Sequence, residues 1–310
     1  MTAWFSAISQ AAFALLVFPG FAFLFICAMA FGWIDRRVIA RFEGRVGPPW
    51  FQPLADFIKL MAKEDILPIG ANEAVAAILP IISLAAVMTT SLYIPIASKT
   101  AITFEGDLIL VLFLLSIPAL AYFLAGWVSV GVYSVIGGNR ALLQYFSYEV
   151  PFLMALSGSA ILSGSWSISQ IVQQQAQTVW GVFVQPLGFL LALIGLIGKL
   201  KRSPLDIPKA KSEIGAGPLT EFSGRKLALW NLSLHMKMVV GIFLLVNLFL
   251  GGSGVGLIFV VKALLILLIL SVASVLYARL RIDQLVNLGW RVLVPLALLQ
   301  MMIIIWVGVG

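Results

Sequence analysis

Long stretches without a charged residue are the feature of this sequence that most restricts how it can fold. Several of them reach the roughly 20 residues that an α-helix needs to cross the apolar core of a bilayer. Only 11% of the 310 residues are charged and 61% are hydrophobic, which leaves too little charge to cover the surface of a water-soluble protein. The sequence therefore predicts an all-α, polytopic membrane protein that forms a single integral membrane domain over residues 1–310.

The predicted membrane helices number about eight. They lie at 10–33, 74–97, 107–130, 141–164, 179–199, 227–250, 254–277 and 287–309. No basic segment precedes the first apolar run, which is too long for a cleaved signal peptide, so we expect a retained span. The fourth contains Glu149 and Pro151, and a proline is tolerated there if neighbouring helices satisfy the freed carbonyl.

Lysine and arginine are concentrated in alternate connections between these spans. All but three of the 20 lie in or beside the large loops at 34–73, 131–141, 199–226 and 278–291. The exceptions are Lys99 in an opposite loop and Lys237 and Lys262 inside spans. The positive-inside rule places the charged loops in the cytoplasm of a multi-pass cell-membrane protein, with both termini outside. The net charge of +7 therefore describes one membrane face in contact with lipid, and we expect no nucleic-acid partner.

Four ionisable residues stand out inside the predicted spans: Glu149, His235, Lys237 and Lys262. A charged side chain in the bilayer core is costly unless it is partnered, so such residues are functional candidates. We expect them to serve ion translocation or coupling, with pairing inside the bundle as the alternative. Lys262 has no polar neighbour within four positions, so it must find a partner on another helix or reach the interface. For His235, a hydrogen-bonded packing role fits better than an ion path.

The first charged loop combines a rigid turn with an amphipathic segment. Two glycines and two prolines at 44–49 predict a tight non-helical turn, flanked by Arg41 and Arg45. From 51 to 63, apolar residues recur at helical spacing with Lys59 on the other side. The pattern predicts a helix that lies on the membrane surface or against a partner.

The charged loop at 199–226 carries the acids Glu213 and Glu221. The glycines and proline at 215–218 break any helix between them, so the loop can fold back and bring both to one cavity. Neighbouring buried carboxylates raise each other's pKa, which suits proton carriers. If Glu149 shares that cavity, its protonation must depend on the charge of Glu213. The alternative is a solvated loop whose acids pair with its own lysines.

Three segments together carry a family resemblance: DRRVIARFEGRVGPPWFQPLADFIKLMAKED, GGNRALLQYFSYEVP and SPLDIPKAKSEIGAGPLTEFSG. They resemble the membrane subunit of respiratory complex I that adjoins the peripheral arm. They are more similar still to its relatives in membrane-bound group 4 nickel–iron hydrogenases and in ferredoxin-dependent sulfur-reducing complexes. In the second segment, Arg140 is expected to follow a Gly-Gly-Asn turn.

The resemblance implies a membrane subunit that docks an electron-transfer module and couples redox chemistry to proton or sodium translocation. Iron–sulfur clusters, and nickel with iron in a hydrogenase, are then expected in peripheral large and small subunits. Antiporter-like membrane subunits are further expected partners, and ferredoxin is an indirect one. Glu149, Glu213 and Glu221 match family carboxylates. The residues expected at the peripheral interface are Arg36, Arg37, Arg41, Arg45, Lys59, Arg140, Asp206 and Arg225.

Two departures from the family pattern help to choose among its members. Pro48 runs directly into PWFQPLAD, where quinone-reducing members usually have a longer turn, and Lys209 and Lys211 stand where carboxylates are usual. Both favour a hydrogenase-like or sulfur-reducing complex over the quinone-site subunit of a complex I-type enzyme.

Two hypotheses that assign the chain to other classes of protein remain open. A stand-alone secondary transporter is one, although its halves should then match as inverted repeats. A purely structural anchor is the other. With one cysteine, Cys27, and no nucleotide loop or zinc spacing, we expect no metal, cofactor or catalytic residue in this chain.

Overall fold

The computed structural model of the chain describes residue 9 and residues 12–96, 100–252 and 256–308. Lys99, the basic residue predicted in an opposite loop, lies outside these ranges, as do the ends of several predicted spans. The described α-helices of seven or more residues are α1 Phe21–Phe42, α2 Gln52–Ala62, α3 Glu73–Tyr93, α4 Asp107–Val128, α5 Val132–Ser163, α6 Ile168–Gln177, α7 Pro186–Leu200, α8 Gly224–Phe249, α9 Gly256–Leu276, α10 Ile282–Leu288 and α11 Val294–Gly308.

Six helical segments of the described chain are long and apolar enough to cross a membrane. They are Ala12–Phe42, Glu73–Tyr93, Asp107–Val128, Gly224–Phe249, Gly256–Leu276 and Ile282–Trp306. The pair α5 and α6, bent by 61°, passes the same test as one broken span, and α7 is a shorter apolar helix. The prediction of an all-α polytopic fold is confirmed, and the predicted number of eight spans is approximate.

The prediction of a loop at 131–141 is wrong, because α5 begins at Val132 and continues through the whole segment. The glycines assigned to a turn serve close packing instead. A Cβ added to Gly137 would lie 2.7 Å from the Cδ of Pro218. Arg140 is therefore a helical residue on the same continuous helix as Glu149, roughly 13 Å along its axis at 1.5 Å per residue.

The charged connections of the sequence meet at one end of the helix bundle. The contacts that join them are Asp65 Oδ1 with the backbone N–H of Arg225 (2.6 Å), Lys226 with Glu73 (3.7 Å), Arg140 with Glu213, and Arg279 Nε and Nη2 with Asp206 (2.7 and 2.6 Å). We call this end of the bundle the loop face. The charge bias of the sequence thus identified segments that contact one another in the structure.

Helix α8 lies at the centre of the bundle, and most of its residues are buried. It packs against α1, α2, α3, α7 and α9. The predicted helix after the turn at 44–49 is confirmed as α2, in which Phe57 packs edge-on against Phe25 of α1 at 5.4 Å. Ile58, on another side of α2, is 57% exposed and lies at the loop face.

Candidate functional site

A buried ion pair lies where α4, α5 and α7 meet. Glu149 of α5 is 4% exposed and Lys199 of α7 is 1% exposed. Glu149 Oε1 accepts hydrogen bonds from Lys199 Nζ at 2.7 Å and from the hydroxyl of Ser116 at 2.5 Å. Lys199 Nζ also lies 4.7 Å from the ring centroid of Phe152. Each charge is tolerated in this apolar region because the other is beside it, so removing one partner leaves a buried charge uncompensated.

Two further lysines are buried close to this pair. Lys201 is 3% exposed and Lys237 is 1% exposed, and neither Nζ makes a hydrogen bond to the part of the chain that the structure describes. Lys201 Nζ lies 4.0 Å from the ring centroid of Tyr122. Burial, followed by repulsion from the other lysines, lowers the pKa of Lys201 well below its ordinary value. We call Glu149, Lys199, Lys201 and Lys237 the buried charge cluster.

The surroundings of the buried charge cluster contain other polar atoms without a described partner. They are Glu149 Oε2, Gln144 Oε1, Trp230 Nε1 and the hydroxyls of Tyr122 and Tyr148. Buried polar atoms of native proteins are nearly always bonded to protein or to ordered water. Such atoms are concentrated here around the ionisable groups.

A second buried ion pair connects this interior to α1. Arg202 donates to Asp35 Oδ1 and Oδ2 at 2.8 and 2.6 Å, in a bidentate arrangement. The hydroxyl of Ser271 in α9 donates to the same carboxylate at 2.7 Å, and Arg202 contacts Met238 Sδ of α8 at 2.9 Å. Four parts of the fold therefore depend on one carboxylate and one guanidinium.

The structure does not bring Glu213 into contact with Glu149. Glu213 lies at the loop face, where its side chain is 52% exposed and paired with Arg140. The hydrogen bond from Arg140 and then its charge lower the pKa of Glu213. Glu221 is elsewhere on this face, close enough to Gly131 that a Cβ there would lie 2.6 Å from Glu221 Oε1. The three predicted coupling acids thus occupy three separate environments.

His235 lines a cavity of about 290 Å³ between α1, α2 and α8. Its Nδ1 is 2.7 Å from the carbonyl oxygen of Asn231, which agrees with the hydrogen-bonded packing role. Arg36 and Asp56 also line the cavity and form an ion pair at 2.8 Å. Lys59 completes its charged lining.

The residues predicted at the peripheral interface differ in how firmly they are held. Arg36 is fixed by Asp56, and Arg37 lies 5.2 Å from the ring of Trp33. The side chain of Arg45 is 78% exposed, and its nearest carboxylate oxygen, on Glu43, is 3.5 Å away. Arg41 and Arg225 are also exposed. Exposed guanidinium groups at the loop face are accessible to a partner protein.

Lys262 is not part of the buried charge cluster. Its Nζ donates to the carbonyl oxygens of Leu250 and Gly251 at 2.6 and 2.9 Å, at the end of α8, and lies 4.4 Å from the ring of Trp180. The expectation that it finds a partner on another helix agrees with these contacts, since the carbonyls follow α8. Its predicted role in ion movement stays a prediction.

The contacts of Lys262 give an expected result for its replacement. Lys262→Met should lower the free energy of unfolding by about 1–2 kcal/mol, because two charge-assisted bonds to terminal helix carbonyls are lost. Lys262→Arg keeps the charge and is the matched control. Thermal unfolding of the purified protein measures the loss. A weakened ion gradient in sealed vesicles at unchanged stability would instead support the ion path.

Asp35, Lys199, Lys201 and Arg202 were missed as functional candidates. All four lie at the ends of apolar runs, where charge normally indicates only the membrane boundary. One feature of the sequence could have indicated that Lys199 is buried. It follows 13 uncharged residues of α7 without an intervening turn, so it continues an apolar helix. Among the described residues, no group of three or more His, Cys, Asp or Glu is arranged to hold a metal ion.

A bundle of apolar helices with a charged loop face and buried ion pairs defines a polytopic membrane protein with ionisable groups in its interior. A sequence model of the NADH dehydrogenase family matches residues 14–305, so the chain belongs to this family. The chain is 35% identical over 295 residues to the H subunit of the NADH-quinone oxidoreductase of Dehalococcoides mccartyi strain CBDB1, covering 91% of this chain and 83% of that one. The corresponding protein of Bacillus thuringiensis strain Al Hakam is 34% identical over 281 residues, covering 85% and 84%.

A solved structure shows the same fold. A chain from the membrane-bound sulfane sulfur reductase, an archaeal respiratory membrane complex, matches with a TM-score of 0.86 at 27% identity. The match covers 96% of this chain and 99% of that chain. The prediction from sequence motifs, a membrane subunit of a respiratory multi-subunit oxidoreductase related to complex I, is confirmed.

Proposed function

We propose that this chain couples electron transfer in a docked peripheral module to the movement of protons or sodium ions through the membrane. The observation that carries the proposal is the buried Glu149–Lys199 ion pair beside the unbonded amines of Lys201 and Lys237. Lys199 and Lys201 lie where α7 enters the loop face, so a change at that face reaches the pair through a few residues. Ionisable groups buried in a bundle of membrane helices usually mark an ion or proton pathway.

Within the family, a hydrogenase-like or sulfur-reducing complex that depends on ferredoxin fits best. The chain spans 99% of the matched chain of the sulfane sulfur reductase but only 83% of the Dehalococcoides mccartyi protein. The cavity of about 290 Å³ beside His235 is at the small end for organic ligands. Identity of 35% to a quinone oxidoreductase subunit favours the quinone-site alternative.

The proposed orientation, location and partners of the chain are based on the loop face. Its basic residues support a cytoplasmic orientation in the cell membrane, with both termini outside, and a single integral membrane domain over 1–310. Peripheral subunits with iron–sulfur clusters would dock there, and antiporter-like membrane subunits would carry the translocated ion onward.

Purification in mild detergent, followed by identification and metal analysis of the chains that copurify, tests this proposal. Nickel with iron would indicate a hydrogenase, and iron without nickel together with reduction of sulfur compounds would indicate a sulfur-reducing complex. Reduction of quinone by the purified complex would support the alternative. A chain that purifies alone, or only with copies of itself, would contradict the proposal and support a stand-alone transporter.

Arg45 provides a test of docking. Arg45→Ala should weaken binding of the peripheral module by about 2 kcal/mol, the scale of an interface arginine, while the subunit stays inserted. The structural reason is that Arg45 is 78% exposed and contributes little within its own chain. Arg291→Ala is a matched control, since Arg291 is exposed on a different element. Retention of the module during size-exclusion chromatography measures the effect, and full retention would make Arg45 part of the topology signal only.

A further inference from the structure

Lys201 and Lys237 come from different elements and are buried in the same region. Lys201 follows the last residue of α7, and Lys237 is in α8. The groups that act electrostatically on Lys201 are Lys199, Lys209, Lys237 and Glu149, and those that act on Lys237 include Lys199, Lys209 and Glu149. Three buried amines, those of Lys199, Lys201 and Lys237, therefore lie around one carboxylate, which already bonds to Lys199.

A buried ammonium without an oxygen partner is unstable relative to the neutral amine, because burial removes its hydration and nothing replaces it. The face of Tyr122, 4.0 Å from Lys201 Nζ, offers only a weak electrostatic contact. Charge on either amine disfavours charge on the other, so the two titrate as a coupled unit. We propose that Lys201 and Lys237 hold one proton between them at neutral pH and form a proton-accepting site beside the Glu149–Lys199 pair.

The backbone at Lys201 supports a fixed position for this amine. Lys201 has a φ of 53°, in the left-handed region that glycine adopts with less strain, and its N–H bonds to the carbonyl of Gly198. Backbone strain of this kind persists only where the surroundings hold the residue in place. The side chain of Lys201 lies in the interior, where it is 3% exposed.

Comparison of Lys201→Met with Lys201→Arg in the intact complex tests the proposal. Methionine keeps an apolar stem without charge, whereas arginine is always protonated. With one shared proton, Lys201→Met leaves that proton on Lys237, retains most of the thermal stability and shifts the pH profile of ion-coupled turnover upward. Lys201→Arg forces a second charge into the region, so it should be the less stable variant and lose roughly 100-fold in coupled turnover.

Lys262 supplies the matched control, because its Nζ donates to two carbonyl oxygens, which replace hydration and favour the ammonium. At position 262 the order of thermal stability should be reversed, with Lys262→Arg more stable than Lys262→Met. If Lys201→Arg is likewise more stable than Lys201→Met, Lys201 is a permanently charged structural ammonium and the proposal is overturned.

If Lys201→Arg does not assemble, the pH dependence of stability decides. An amine that binds fewer protons in the folded than in the unfolded state makes stability rise with pH until the unfolded lysine also loses its proton, at about pH 10. Lys201→Met should reduce that rise in thermal stability, and an unchanged rise overturns the proposal. The role of the amine pair in coupling rests on the proposed function, but this measurement needs no electron transfer. If Lys201→Met reduces the rise of thermal stability with pH but the complex moves no ions, the proposed function is refuted and the proposal of a shared proton is still supported.

Discussion

Replacing Glu149 with Gln should lower ion-coupled turnover about 100-fold or more, the scale expected when a proton-carrying group is lost. It should also destabilise the subunit by roughly 3 kcal/mol, because Lys199 keeps a buried charge without its counter-ion. Adding Lys199→Met removes that charge and should restore stability but not turnover. Thermal unfolding and ion uptake by sealed vesicles measure the two effects separately. Recovery of turnover together with stability would make the pair purely structural.

Glu213→Gln is the control for this experiment, because Glu213 is a surface carboxylate and its partner Arg140 is also partly exposed. We expect a small loss, and we expect the combination with Glu149→Gln to be nearly multiplicative, since the two acids share no contact. This expectation differs from the one based on sequence alone, in which a shared cavity would make the double variant little worse than the worse single one. Strong non-additivity would mean that the two acids act as one unit in the assembled complex.

Arg202→Met should destabilise the protein by about 3–5 kcal/mol, the cost of leaving a buried carboxylate unpaired. The carboxylate of Asp35 would lose both of its charged contacts, and α1 would lose its bond to the segment after α7. The double variant Asp35→Asn with Arg202→Met should recover much of the loss. Thermal unfolding of the purified subunit or complex measures both.

Arg279→Met is the matched control, since Arg279 makes the same bidentate contact with Asp206 but at the loop face. The side chains of that pair are 32% and 21% exposed, against 17% and 10% for Arg202 and Asp35. Water can replace the lost partner there, so a loss of about 1 kcal/mol or less is expected. Equal losses for Arg202→Met and Arg279→Met would contradict a special role for the buried pair.

The membrane helices could be predicted because hydropathy is a property of local sequence. The start of α5 could not be predicted in this way. Gly137 and Gly138 favour a turn by their intrinsic preference. In the helix, Gly137 makes room for Pro218 and Gly217, and Gly138 makes room for Phe123 and Gly126 of α4. Glycine in a membrane bundle serves tight packing as readily as it ends a helix, and the choice is made by a neighbour that is distant in sequence.

Only part of the candidate site could be predicted, and the reason is similar. Glu149 and Lys237 stood out because their neighbours in sequence are apolar. Lys199, Lys201 and Arg202 occupy a segment rich in charge, where burial depends on how the loop packs against α1 and α8. Local sequence cannot distinguish a hydrated lysine from one turned inward.

The continuity of α5 has a mechanical consequence. Arg140, bonded to the loop face, and Glu149, bonded to Lys199, are on one uninterrupted rod of hydrogen-bonded backbone. A continuous α-helix is stiff along its axis, so an axial displacement at one end is transmitted to the other end almost unchanged. A shift of ~1 Å would stretch the bond between Glu149 and Lys199 beyond hydrogen-bonding distance. A partner that displaces Arg140 would thus also move a carboxylate that it never touches.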